Sequence, residues 1–324
     1  IGFCHARDRL WQMDYKRRAA EGTLSEIFGE RTVYLDKFIR AFELNALADT
    51  LYQNISKKSR SILKSYSEGI NYFIENYPNE FSFEFGALDY EPKKWKPQDC
   101  LKIGRAMSFE MGLSFWTDIT YGEVAEQIGV DKARELIPSY PDNAPHVLDD
   151  SSVLRHKIEK QEQNFLDIVP ISGKYLDYFG EFARNMDSIR QRLSMGISGI
   201  GSNSWAIRKR KTANSGAILA NDPHLDLRLP PHWYQIHITS PDYNVTGCSL
   251  PGLPIILSGR NDAISWGLTN VMVDDCDFFI EKVDSVNSDF YYLPNGGRKE
   301  FDFIKDTIEI KGASDSVYYI RKTG

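Results

Sequence analysis

The side chains best able to break a bond lie in Gly201-Ser202-Asn203-Ser204-Trp205 and, shortly after, Ala220-Asn221-Asp222-Pro223-His224-Leu225. A serine hydroxyl is a poor nucleophile without a base beside it. One economical base is the α-amine of the same residue when that serine begins a chain, because such an amine titrates near pH ~7.7–8.0 and is partly unprotonated at neutrality. Exposing it at Ser202 requires scission of the bond from Gly201. The hydroxyl can do this itself by attacking the Gly201 carbonyl, which gives an ester that water then hydrolyses. Gly201 suits the attack, since a residue without Cβ takes up strained backbone at low cost. Alone, the pair carries little weight, because Gly-Ser at a flexible join is a linker in most proteins.

A different chemistry is written in Asp274, Asp275 and Asp277. Hard cations such as calcium take several oxygen ligands, which alternate carboxylates and a main-chain carbonyl supply. Equally, acids this dense are often a solvated loop. Met107 and Met111 are one helical turn apart, a spacing that serves an adaptable apolar pocket or an ordinary core. A Ser-His-Asp hydrolase on an α/β sheet calls for a G-x-S-x-G elbow, and Gly196-Ile-Ser198-Gly199-Ile200 fails it at the last position.

The elements that must position these residues change character along the chain. Leu10, Met13, Arg17 and Ala20 recur at helical spacing, and Leu44, Leu47, Leu51, Ile55, Ile62, Tyr66, Ile70 and Phe73 extend an amphipathic pattern through the next long segment. Pro97 opens a helix through Met111, and another runs from Asp118 to Ile128 and stops at Gly129. The charged segment from Asp149 to Arg192 is weakly helical. After the small-residue stretch Met195–Gly201, strand signals dominate: Trp205–Ile207, Ala217–Ala220, Trp233–Thr239, Ile255–Leu257, Ile264–Trp266 and Phe278–Val283. Helices followed by strands imply an α+β arrangement.

With 324 residues the chain is long enough for a sizeable core, and 42% hydrophobic with 26% charged residues is ordinary for a globular protein. A net charge of −6, with no basic run beyond Arg208-Lys209-Arg210-Lys211, argues against a nucleic-acid partner. Cys4, Cys100, Cys248 and Cys276 are too scattered for a zinc motif, and no apolar run reaches membrane-spanning length. The chain opens on Ile1-Gly2-Phe3, so any targeting segment is expected upstream of it.

Further motifs fall into a known order. Gly2-Phe3-Cys4-His5-Ala6-Arg7-Asp8-Arg9-Leu10-Trp11-Gln12-Met13-Asp14, Arg17-Arg18 and Gly22-Thr23-Leu24-Ser25-Glu26 stand at the front; the Ser202 and His224 stretches stand at the centre. Gly252-Leu-Pro254, Asn261, Ile264-Ser-Trp-Gly267 and Asp274-Asp-Cys-Asp277 follow. In these the chain resembles the penicillin acylase family of N-terminal nucleophile hydrolases, which includes acyl-homoserine-lactone and cephalosporin acylases. The resemblance implies an αββα fold of which this chain is an incomplete part, and an amide hydrolase acting on a small acyl amide. It implies two subunits from one precursor: residues 1–149 as the small-subunit region, 150–201 as a spacer, and 202–324 as the start of the large subunit. Ser202 takes the nucleophile's place, His224 orients its amine or hydroxyl, and the Asn270 main-chain N–H helps form the oxyanion hole. Asp274 and Asp277 side chains, the Cys276 carbonyl and Asp118 would hold one structural calcium ion, although Asp118 replaces a longer Glu.

Met107, Met111, Leu225 and Ser258 would line the acyl pocket. Penicillin G acylases carry an aromatic at the last of these positions, so medium or long acyl chains are expected here. The resemblance also implies a periplasmic or secreted location. A further oxyanion Asn and an Arg are expected beyond Gly324, so these residues alone are expected to be inactive. The competing reading is an acylase-like scaffold without activity, serving as a binding or structural module.

Overall fold

The computed structural model describes residues 1–112, 115–136, 201–213, 216–225, 227–270 and 278–323, and isolated positions between 170 and 182. Residues 1–111, 189–271 and 280–324 form one compact unit, and residues 112–188 with 272–279 form another. The expected spacer at 150–201 lies almost wholly outside the described residues.

The larger unit begins with helices α1 (Gly2–Glu21), α2 (Ser25–Phe28), α3 (Val33–Ala41), α4 (Leu44–Asn54), α5 (Lys57–Asn76), α6 (Phe83–Ala87) and α7 (Pro97–Met111). In the smaller unit, α8 (Phe115–Ile128) is followed by α9 (Val130–Glu135), and Phe278 packs edge-on against Phe179 and Phe182. The strands of the larger unit are all antiparallel. β1 (Gly201–Ile207) pairs with β2 (Ile218–His224), and β3 (Tyr234–Thr239), β4 (Asn244–Ser249), β5 (Ile256–Asn261) and β6 (Ser265–Trp266) make a meander. β7 (Lys282–Val283), β8 (Phe290–Tyr292) and β9 (Arg298–Glu300) form a small sheet, and β10 (Asp302–Ile308) with β11 (Ser316–Lys322) forms a hairpin. The α+β class and the helix-then-strand order are as the sequence implies. No helix among the described residues is long and apolar enough to cross a membrane.

The long pattern from Leu44 to Phe73 is broken by Ile55-Ser56. Ser56 caps α5 by accepting from the Ser59 N–H (3.0 Å), worth about 1 kcal/mol, and this resets the helical phase. The buried face of α5 is therefore Leu63, Tyr66, Ile70 and Phe73, whereas Leu47, Leu51 and Ile62 are exposed. Those α5 residues pack with Leu10 and Met13 of α1, Trp95, Cys100 and Ile103 around α7, and Leu250 after β4, so helices and meander share one core. α1 ends at Gly22 in the left-handed conformation (φ 66°), where an added Cβ would approach the Asp36 carbonyl oxygen to 2.7 Å.

Two polar networks run through this core. Arg17 and Arg18 converge on the buried Asp14 carboxylate, which also accepts from Tyr90 Oη (2.8 Å); Arg17 reaches on to Asp99 (3.3 Å) and Arg18 to Glu26 (2.8 Å). Removing one member of such a set strands buried charge, at a typical cost of about 3–5 kcal/mol. The other network joins helices to strands. Gly252 N–H donates to Tyr66 Oη (3.0 Å), Tyr66 O–H to His5 Nδ1 (2.7 Å), and His5 Nε2–H to Ser249 Oγ (2.9 Å). Ser249 O–H in turn donates to the Tyr234 carbonyl (2.9 Å). Every proton in this chain has one place to go only if His5 is neutral.

Burial lowers the His5 pKa from its ordinary 6.5 to about 4. Its stabilising contribution is complete above pH 6.5, where the unfolded imidazole is also neutral, and is lost as the pH falls from 6.5 towards 4. Denaturant midpoints of the full-length protein should therefore drop across that window, by up to about 1.4 kcal/mol per pH unit from this group. His232, lowered to about 3 by burial, adds a parallel loss that a His5→Gln variant retains. The variant should be less stable at pH 7 by roughly 1–3 kcal/mol and should show a shallower decline between pH 6.5 and 4. Identical slopes in the two proteins would refute the neutral-His5 account.

Candidate functional site

The junction residues are built into a ladder. β1 and β2 pair so that Gly201 opposes His224, Ser202 opposes Pro223, Asn203 opposes Asp222 and Ser204 opposes Asn221. Opposed residues in an antiparallel pair share a face, and successive residues alternate. Gly201, Asn203, Asp222 and His224 therefore occupy one face of the ribbon; Ser202, Ser204, Asn221 and Pro223 occupy the other. The alternating exposure along β2 follows the same period.

Gly201 is thus not in the strained conformation that its lack of Cβ permits. It is extended and paired, and it is absent from the glycines with positive φ. Nor does crowding demand glycine, since a Cβ there would meet His224 Nδ1 at an ordinary 3.6 Å. The Ser202 hydroxyl donates to the carbonyl oxygen of Gly201 (2.7 Å). The attacking group and the group it would attack are in direct contact.

His224 has a partner that the sequence did not single out. Its Nε2 lies 3.0 Å from Asp222 Oδ2, two residues back on the same face of β2. A carboxylate can only accept, so in the neutral imidazole Nε2 carries the proton and Nδ1, on the side facing Gly201, has the lone pair. Both side chains face solvent, with 43% and 75% of their surface exposed, so the pair orients the ring more than it stabilises the fold.

On the other face Asn221 is the hub. Its Nδ2 donates to the Leu268 carbonyl (3.0 Å) and, at 3.5 Å, to that of Asn203, while its Oδ1 accepts from Ser258 Oγ (2.9 Å). Asn221 so ties the β1–β2 ribbon to β5 and to the segment after β6. Gly267 is required there, because a Cβ would come within 2.5 Å of the Asn221 Cβ. Ser258 is half-buried, next to Leu257, which packs on the core; Leu225, just past β2, is also half-buried.

Asn270 and Met111 are brought together. Asn270 Nδ2 donates to the Met111 carbonyl at the end of α7 (2.9 Å) and lies 3.9 Å from its sulfur. Met107 packs against the core beside Leu253 and Leu257. Of the expected metal ligands, Asp118 is half-buried in the first turn of α8, whereas Asp274, Cys276 and Asp277 lie outside the described residues. Among the described residues no group of three or more His, Cys, Asp or Glu is placed to hold a metal ion.

The penicillin amidase family model matches residues 1–324. Among curated relatives, acyl-homoserine lactone acylase QuiP of Pseudomonas aeruginosa is 29% identical over 96% of this chain and 35% of its own length. Penicillin acylase 2 proenzyme of Pseudomonas sp. (strain SE83) is 25% identical over 100% of this chain and 39% of its own length. Penicillin G acylase of Escherichia coli is 27% identical over 99% and 42%. The chain therefore spans less than half the length of these relatives. Matched along its whole length and built as helices followed by antiparallel strands, the chain belongs to the penicillin amidase family.

Proposed function

We propose that the full-length protein is an acylase that cuts its own chain between Gly201 and Ser202 and then uses Ser202 as an N-terminal nucleophile on acyl amides. The observation that carries this reading is the 2.7 Å contact between the Ser202 hydroxyl and the Gly201 carbonyl oxygen. The carbonyl carbon that the hydroxyl must reach is bonded to that oxygen, about 1.2 Å from it. In the cut, the Oγ–C bond forms, the C–N bond breaks, and the hydroxyl proton ends on the freed amine. Water then divides the resulting ester into a Gly201 carboxylate and a free Ser202 hydroxyl. In the mature enzyme the α-amine takes the Oγ proton as Ser202 attacks a substrate amide, and gives it to the departing amine. Water releases the acyl group from Ser202. That one relative is named a proenzyme agrees with this order of events.

The Asn270 main-chain N–H is assigned to the oxyanion, where one donor is typically worth about 2.7–4 kcal/mol. Its side chain, anchored on Met111, holds that segment against the end of α7. Replacing Ser202 by Ala should leave one uncut chain on denaturing gels, whereas Ser202→Cys should retain some cleavage because thiolate is intrinsically nucleophilic. Scission of the Ser202→Ala protein at the same bond would mean that another agent cuts it.

Met107, Met111, Leu225 and Ser258 are assigned to the acyl pocket. Methionine adapts to irregular apolar shapes, and serine in place of an aromatic ring leaves depth, so aliphatic chains of medium or long length are the favoured acyl groups. The relatives named acyl-homoserine lactone acylase fit this substrate class. kcat/KM should rise by about 0.8 kcal/mol per methylene until the pocket is filled. A flat response to chain length, with phenylacetyl amide the best substrate, would exclude this pocket.

A structural calcium ion is part of the same reading, held by Asp274, Asp277, the Cys276 carbonyl and Asp118. These are hard oxygen donors, and Asp118 belongs to the same compact unit as residues 272–279. The ion serves the hold between the cut chains and takes no part in catalysis. Export to the periplasm or beyond completes the proposal. Dialysed full-length protein should contain about one calcium per molecule, and an Asp274→Ala, Asp277→Ala double variant should have lost it; equal metal content would overturn the site.

A further inference from the structure

We propose that Asp222 and His224 form a dyad that activates the water for the ester-hydrolysis half of self-cleavage, with His224 as the base and Asp222 as its positioning residue. This rests on the reading that Ser202 cuts the bond after Gly201, and adds residues and a step to it. The step gains from a base beside the attacking water. Conversion of amide to ester is proton-neutral within the Gly201–Ser202 pair, since the hydroxyl proton goes to the departing nitrogen. In the hydrolysis an incoming water must lose a proton as it attacks the Gly201 carbon, and that proton returns to Ser202 Oγ.

The ribbon places the His224 ring beside Gly201. The register sets His224 directly opposite Gly201 and on the face away from the Ser202 side chain. Nδ1 lies 3.6 Å from the point a Gly201 Cβ would occupy. Asp222 Oδ2 lies 3.0 Å from Nε2, and in the neutral imidazole this contact selects the tautomer whose Nδ1 carries the lone pair. The exposure of both side chains gives water free access to Nδ1. The face that carries the hydroxyl is occupied instead by Asn221 and its ties to Asn203, Leu268 and Ser258. Nucleophile and base thus approach the Gly201 carbonyl from opposite sides of the ribbon.

The atoms balance. Water gives one proton to His224 Nδ1 as its oxygen bonds to the Gly201 carbon. The tetrahedral adduct collapses, the bond to Ser202 Oγ breaks, and Oγ takes the proton back from the imidazolium. The products are a Gly201 carboxylic acid, which ionises, and a free Ser202 with its hydroxyl and amine. No other reactant is required.

The test uses the full-length protein and follows scission by intact mass under denaturing conditions. General-base assistance contributes about 10²–10⁴-fold, so Asp222→Ala and His224→Gly should slow scission by about tenfold or more. Ester formation survives in both, so neutral hydroxylamine should cut the uncut variants at this bond and leave a Gly201 hydroxamate. Free imidazole should restore scission to His224→Gly and not to Ser202→Ala. Asp222→Asn, which keeps an oxygen acceptor, should cut faster than Asp222→Ala. Unchanged rates in Asp222→Ala and His224→Gly would overturn the proposal, as would uncut variants that hydroxylamine leaves intact. An uncut wild-type protein, or a Ser202→Ala protein still cut at this bond, would instead overturn the underlying reading of Ser202.

Discussion

The pairing of β1 with β2 is the constraint on which the site depends. Seven residue pairs in unbroken register run from Gly201–His224 to Ile207–Ile218, and they fix which side chains meet across the ribbon. A slip of one residue would turn Ser202 to the His224 face and bring Asn203 to the face now held by Asn221. The Gly201–Ser202 bond is thereby held at the start of a regular strand, where the Ser202 hydroxyl touches the preceding carbonyl. Ladder hydrogen bonds and a side-chain contact position these side chains.

Around that ribbon, polar groups do the joining. Asn221 connects it to the meander through β5 and the Leu268 carbonyl, and Gly267 leaves the space for that approach. The meander is in turn joined to α1 and α5 through Ser249, His5, Tyr66 and the Gly252 N–H. After a cut at Gly201–Ser202, this chain of hydrogen bonds and the shared core of Leu10, Tyr66, Ile103 and Leu250 would lie across the two products. Arg40 adds contacts to Asp306 (3.0 Å) and the Thr307 carbonyl (2.7 Å) of β10, and Asn270 adds its bond to Met111. Separation would strand buried polar groups, which is costly wherever water cannot replace the partner.

Much of this order is legible in the residues themselves. The spacing of Leu10, Met13, Arg17 and Ala20 marks the buried stripe of α1, with Arg17 inside because Asp14 and Asp99 meet it. The strand at Tyr234–Thr239 and the first two residues of the strand at Ile256–Asn261 announce themselves through branched apolar residues, whereas Ser258 to Asn261 carry no such signal. Other elements do not. β4 carries Asn, Thr, Gly and Cys, and β10 and β11 alternate with charges, so neither has the apolar rhythm of a buried strand. The break at Ser56 is a capping event inside an otherwise continuous apolar pattern, and the phase of α5 follows from it. At the site, Ser202 and His224 stand out by type, but Asp222 and Asn221 acquire their roles only through register, which single-residue reading does not contain.

The central claim, that this chain breaks its own Gly201–Ser202 bond, is tested most directly by the mass of the purified wild-type full-length protein under denaturing conditions. The account predicts two chains, the larger beginning at Ser202 with a free amine, formed at a rate independent of protein concentration. A single intact chain in fully active enzyme, or a new terminus at any other residue, would contradict it.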